Sequence, residues 1–213
     1  MTARHLEILV EEPSMEAFLR GLLPRLLPQD RSFSVYPFQG KTDLLAKLPS
    51  RLKGYAAWLP DEWRVVIVVD RDDDDCHELK RQLEKFSLKA GLRSRSHSPG
   101  SWQVVNRIAV EELEAWYFGD WDAVIAAFPK LSPNVPNQRG FRNSDAIAGG
   151  TWEAFERLLK RRGYFRGGLP KIEVARTLGC ILEPGRCRSK SFQCFRDAIH
   201  EAVEPKARRD DAK

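Results

Sequence analysis

The chain has 213 residues, 42% of them hydrophobic, with a net charge of +5 and a pI near 9.1. That is enough for one compact three-layer domain, or for a core with a helical annex. No apolar run approaches the ~20 residues of a membrane span. The early run 6–10 is interrupted by Glu7 and followed at once by acids, so it lacks a signal-peptide pattern and the chain is expected to be cytoplasmic.

Leu6 to Val10 reads as a first strand. Ser14 is a plausible N-cap for a helix carrying Phe18, Leu19, Leu22, Leu23 and Leu26 on one face, which Pro24 should kink or end. Phe33 to Phe38 is a second strand, weakened by Pro37. Lys41 to Leu48 reads as a helix that stops near Pro49, and 54–63 as irregular. Val65 to Val69 is five consecutive β-branched aliphatics, a strand apolar on both faces as at the centre of an α/β sheet. Leu79, Leu83 and Phe86 then recur at helical spacing up to Gly91. Residues 93–101 read as a loop. Trp102 to Val110 holds a fourth strand with a break expected near Asn106-Arg107, and 111–128 is helical.

Alternating strands and helices predict a mainly parallel sheet flanked by helices. The expected organisation is an α/β core over 1–128, a flexible segment rich in Pro, Asn, Ser and Gly over 129–150, a C-terminal helical region over 151–205 and a frayed tail over 206–213.

The central strand runs straight into Asp70-Arg71-Asp72-Asp73-Asp74-Asp75. Ligands of open α/β sheets sit beyond the carboxyl ends of the strands. A like-charged pair at about 4 Å costs on the order of 4 kcal/mol at an effective dielectric near 20, so such acids protonate, splay into water or bind a cation. Hard oxygen ligands on a rigid strand suit Mg²⁺ or Mn²⁺. Asp70 and Asp72 are read as metal ligands. Asp73, Asp74 and Asp75 are read as a solvated turn that caps the next helix. Acids also follow the first strand (Glu11) and the fourth (Glu111 to Glu114). In a parallel sheet all three groups emerge along one edge.

The cysteines at 180, 187 and 194, with His200 beyond, invite a zinc reading. Their even six-residue gaps are not those of ordinary zinc sites, and buried or idle thiols are expected instead. Basic residues gather at 157–171, including Arg161, Arg162, Arg166 and Lys171, and at 186–190. An acidic centre with a basic surround suits metal-assisted chemistry on a phosphodiester. It is also what an ordinary mixed surface looks like. Trp116 could stack a base, but beside Leu113 it reads as core.

Val10-Glu11 with Ser14 to Leu19, Val69 to Cys76, and Glu112-Leu113-Glu114-Ala115-Trp116 through Asp120 resemble a bacterial family, the domain of unknown function numbered 4276 (DUF4276). Lys171 and Ser189-Lys190-Ser191-Phe192 extend the resemblance over most of the chain. That family is similar to the Toprim superfamily of topoisomerases, primases and overcoming-lysogenisation-defect nucleases. The resemblance implies a Toprim-like fold and a Mg²⁺- or Mn²⁺-dependent nuclease. It implies Glu11 as acid/base and metal ligand, Asp70 and Asp72 as the ion-binding pair, and Glu16 and Glu114 as aids to a second metal. Lys171 or an arginine of 157–166 would hold the substrate's charge. Glu12 departs from the glycine usual at that position. Nucleic acid is the implied partner, in a phage-defence or mobile-element system beside an ABC- or AAA-type ATPase. The chain has no phosphate loop of its own, and self-association stays open. The alternative is a non-catalytic regulatory or nucleic-acid-binding subunit. A haloacid-dehalogenase-type phosphotransferase fits less well, since Asp-x-Asp stands on the third strand and is followed by Asp74.

Overall fold

The structure, a computed structural model, describes residues 2–204. The tail expected to fray over 206–213 lies outside them. Four strands, β1 (His5–Val10), β2 (Ser32–Pro37), β3 (Trp63–Asp70) and β4 (Val104–Ala109), form one all-parallel sheet in the order β2-β1-β3-β4. Helices α1 (Pro13–Leu26), α2 (Lys41–Trp58) and α3 (Cys76–Lys89) connect them. After β4 come α4 (Glu114–Gly119), α5 (Trp121–Ala127), α6 (Thr151–Arg161), α7 (Lys171–Ile181) and α8 (Lys190–Val203). None of the described helices is long and apolar enough to cross a membrane.

The two-residue period of β3 explains its unbroken hydrophobicity. Val65, Ile67 and Val69 pack with Leu44, Leu48, Leu52 and Tyr55 of α2 and Leu79 and Leu83 of α3. Val66 and Val68 join the opposite layer, with Phe18 and Leu22 of α1, Trp116 of α4 and Phe192 and Phe195 of α8. Both faces of the sheet are therefore covered by helices, as a buried parallel sheet requires. The C-terminal helices complete one of those layers: α7 lies along α1 and α8 against β4. Residues 129–150 hold two short 3-10 turns and bury Val135 and Ile147.

Several local expectations are corrected. Helix α1 starts with Pro13 at its first position and Glu12 as N-cap, so Ser14 lies inside it. Pro24 sits in its last turns without ending it before Leu26. Helix α2 runs through Pro49 to Trp58 because Leu52 and Tyr55, beyond the proline, are buried against the sheet. Tertiary burial here outweighs the lost backbone donor. Strand β4 is unbroken: Asn106 is buried, and its amide donates to Glu84 at 3.0 Å. Glu111 and Glu112 precede α4 rather than opening it, and Glu114 is its first residue.

Candidate functional site

The register puts the carboxyl ends of the strands side by side. Val10 of β1 pairs with Val68 of β3, and Asp70 pairs with Ala109 of β4. Glu11 thus emerges one strand over from Asp70, and its Oε2 accepts the backbone N–H of Asp70 at 3.1 Å. The loops that follow are fastened to each other. The backbone N–H groups of Arg71 and Asp72 both donate to the Glu111 carbonyl, at 2.8 and 3.0 Å, and the Arg71 guanidinium pairs with the Glu111 carboxylate at 2.7 Å. Asp72 takes a left-handed backbone conformation, φ 48°, which aspartate tolerates better than most residues.

Three carboxylates from three strand ends are buried here: Glu11, Asp70 and Glu114. Burial pushes the pKa of Asp70 well above the carboxylate range, and the charges of Glu11, Glu114, Glu12 and Asp72 push the same way. Burial and Asp72 raise Glu11 to about 7 against the pull of Lys41 and the Asp70 N–H. Burial also raises Glu114 to about 7, with Lys171 opposing and Glu112 adding to the shift. Asp70 Oδ1 is buried with no hydrogen-bond partner. An orphaned buried carboxylate oxygen among acids held near their protonation point is short of positive charge. The all-oxygen donor set suits a hard divalent cation in chemistry and charge. As the side chains stand, no three His, Cys, Asp or Glu among the described residues are grouped tightly enough to form a finished metal site.

The remaining candidates divide. Asp72 is half exposed and pairs with Lys41 Nζ at 2.8 Å; the same ammonium pairs with Asp74 at 2.7 Å and donates to the Arg71 carbonyl at 3.0 Å. Burial disfavours the charge on Lys41, but Asp72 and Asp74 outweigh it and hold the lysine above its usual pKa. Asp75 caps α3, accepting from the backbone N–H of His77 and Glu78 at 2.9 and 2.8 Å. Lys171, the first residue of α7, lies over the Trp152 ring at 4.2 Å, and its charge acts on Glu114. Glu16 accepts from Arg20 Nε at 2.9 Å and lines the groove between α1 and α7. Arg161, Arg162 and Arg166 are exposed around the end of α6, and the cation that acts on Glu114 is Lys171, not one of them. Trp116 is core, its indole N–H donating to Ser191 at 3.0 Å. The four cysteines are free thiols, and Cys187 is buried.

The model of one family, Domain of unknown function (DUF4276), matches residues 10–200. The chain belongs to the DUF4276 family. The DUF4276 match spans every candidate site residue from Glu11 to Lys171. No curated protein matches the chain, and no solved structure does.

Sequence reasoning missed two participants. Lys41 follows β2 at the same edge as the acids, as Glu11 and Asp70 follow theirs. Extending the strand-end argument to cations would have found it. Glu112 was read among the acids after the fourth strand and in the segment that carries the resemblance, without a role of its own; its carboxylate accepts from Thr151 Oγ1 and the Trp152 N–H, both at 2.9 Å, and so fixes the start of α6 beside the site.

Proposed function

We propose that this protein is a Mg²⁺- or Mn²⁺-dependent nuclease with a Toprim-like site, hydrolysing phosphodiester bonds of DNA or RNA. The observation that carries the reading is the buried meeting of Glu11, Asp70 and Glu114 from three strand ends, with Asp70 Oδ1 left unpartnered. Asp70, Glu11, Glu114 and Asp72 would hold the ion, which supplies the positive charge to polarise a phosphoryl oxygen and ease ionisation of the attacking water. Glu11, with its pKa raised to about 7, has the acidity to take up and return a proton near neutral pH. Lys171, whose charge acts on Glu114, would set a positive charge against the negative charge that develops on the phosphoryl group. A cytoplasmic setting and a partner ATPase of ABC or AAA type accompany this reading.

Lys41 favours a second reading, a non-catalytic regulatory or nucleic-acid-binding subunit. Its ammonium already neutralises Asp72. Glu12, in place of the glycine usual in the family it resembles, adds negative charge against Asp70, Glu11 and Glu114.

The test is cleavage of plasmid DNA, single-stranded DNA and bulk tRNA with Mg²⁺ or Mn²⁺, with EDTA controls. Asp70→Ala should keep its circular dichroism spectrum, since it removes a buried carboxyl group whose Oδ1 has no partner. Its cutting rate should fall by more than about a hundredfold. Undiminished cutting by the variant rules out this site. Absence of cutting by wild type, including in the presence of a co-purified ATPase, favours the second reading.

A further inference from the structure

The outer edge of β4 borders a cavity of about 470 Å³ between α3 and α8. Its rim reaches Cys76 and Val110, the residues that adjoin Asp75 and Glu111, so it lies next to the acidic loops. Lys80, Arg107 and Lys190 line it, with Asp145 the one carboxylate among its lining residues.

The balance of charge inside decides what it can take. Asp145 is committed to the start of α8, accepting from Ser189 Oγ at 2.6 Å and from the backbone N–H of Lys190 and Ser191 at 2.6 and 3.1 Å. Lys80 is committed to Glu84 at 2.9 Å and to the Asn106 carbonyl at 2.5 Å. Arg107 has no such partner. One of its terminal nitrogens donates to the Asn106 carbonyl at 3.1 Å, its Nε is buried without an acceptor, and none of the described carboxylates is within ion-pair distance. Lys190 Nζ reaches only the neutral Gln193, at 3.2 Å. Two cations that no described carboxylate holds in an ion pair therefore face one cavity, with the charges of Glu84 and Glu201 acting on Arg107 from further off, beside the apolar walls of Ile108 and Val110.

We infer that this cavity binds a phosphate ester, with Arg107 and Lys190 on the phosphate and the apolar walls against the body it carries. A planar guanidinium with an unused donor and a mobile ammonium suit phosphate oxygens. The volume is within the range of small-ligand sites and suits one nucleotide unit. The identification of that unit as part of a polymer rests on the nuclease reading; the anion site itself does not.

The experiment is fluorescence anisotropy, in EDTA, of a labelled single-stranded oligonucleotide and of a labelled mononucleotide, with Lys53→Ala, an exposed lysine of α2 away from the cavity, alongside. Wild type and Lys53→Ala should bind alike. Arg107→Ala should weaken binding about tenfold or more, and Lys190→Ala severalfold. Should Arg107→Ala unfold by circular dichroism, Lys190→Ala, whose side chain is exposed, decides alone. Binding of the mononucleotide without oligonucleotide binding would assign the site to a free phosphorylated ligand. Equal binding by the wild type and the cation variants, or no binding by wild type of either probe, overturns the inference. Cleavage lost in Asp70→Ala would still support the nuclease reading in that case, and Arg107-dependent binding would survive if nothing is cut.

Discussion

Glu84 and Asp70 are both buried carboxylates, and they meet opposite fates. Glu84 Oε1 is held by Lys80 at 2.9 Å, Asn106 at 3.0 Å and Ser96 at 3.1 Å. Burial would raise its pKa, but the donors Asn106 and Lys80 outweigh it, and Glu84 is drawn down to about 2. Each acid has one buried oxygen without a hydrogen-bond partner, Glu84 Oε2 and Asp70 Oδ1, but Asp70 has four acidic neighbours where Glu84 has donors, and it moves the other way. The difference separates an acid that holds α3 to β4 from one waiting for a charge. It also gives Glu84 a share in the acid limit of the fold. With a folded pKa below the unfolded value of 4.5, Glu84 binds fewer protons in the native state. Its contribution is complete above pH 4.5 and is lost as pH falls through about 2. Glu84→Gln should flatten the decline in unfolding free energy over that window by on the order of 1–2 kcal/mol, allowing for solvent screening. Urea titrations at successive pH values measure it, and parallel declines in the two proteins would remove Glu84 from the account.

Helices α1 and α7 cross at their glycines. A Cβ on Gly179 would lie 2.2 Å from the Phe18 carbonyl oxygen, and one on Gly21 would lie 2.8 Å from the Cys180 nitrogen. Arg25 also donates to the Gly179 carbonyl at 2.6 Å. Alanine is the better helix former by about 1 kcal/mol. A backbone clash of this kind costs about 1–3 kcal/mol, so Gly179→Ala should be net destabilising and lower Tm by about 2–4 °C per kcal/mol lost. Gly54, within α2 and with open space where its Cβ would stand, is the control; Gly54→Ala should stabilise by about 0.5–1 kcal/mol. Thermal unfolding of both variants tests the pair, and a Gly179→Ala protein as stable as wild type would mean that the helices are not in this close contact. The same crossing shows why some elements were readable and others not. Strand β3 announces itself because its burial on both faces is written in consecutive residues. The persistence of α2 through Pro49 depends on Leu52 and Tyr55 meeting a sheet face, which local propensity does not encode.

On the scale of the molecule, the acidic edge was legible because a parallel sheet sends every strand end the same way. Glu11 and Asp70 need only that rule, which also places Glu111 to Glu114 at the edge; the family resemblance singled out Glu114 among them. Lys171 is different: it lies 57 residues beyond Glu114 in the chain, and the family resemblance, not spacing, singled it out. The packing of α7 beside α1 puts it at the site. Arg107 was visible only as a suspected strand break, since its lack of a close ion pair is a property of the folded edge. The gathered acids have a cost that the whole protein should reveal. Glu11 and Glu114 have folded pKa values raised to about 7 from 4.5, so between those limits the native state binds more protons than the unfolded chain. Stability then falls as pH rises through the window, and it is fullest below 4.5 as far as these groups are concerned. The window does not overlap that of Glu84. In EDTA, Tm should therefore decline from pH 5 to pH 8. Glu114→Gln should decline less and be the more stable protein at pH 8, because a neutral amide carries no charge to be desolvated by burial or repelled by Glu112 and Glu12. Saturating Mg²⁺ or Mn²⁺ should restore wild-type Tm at pH 8 far more than at pH 5, where the carboxyl groups hold their protons. Calorimetry of wild type and Glu114→Gln, with and without the ion, separates the terms. A wild-type Tm indifferent to pH in EDTA would mean that these acids are already neutralised within the fold. A decline that the ion does not reverse would leave the repulsion real and the metal reading without its thermodynamic support.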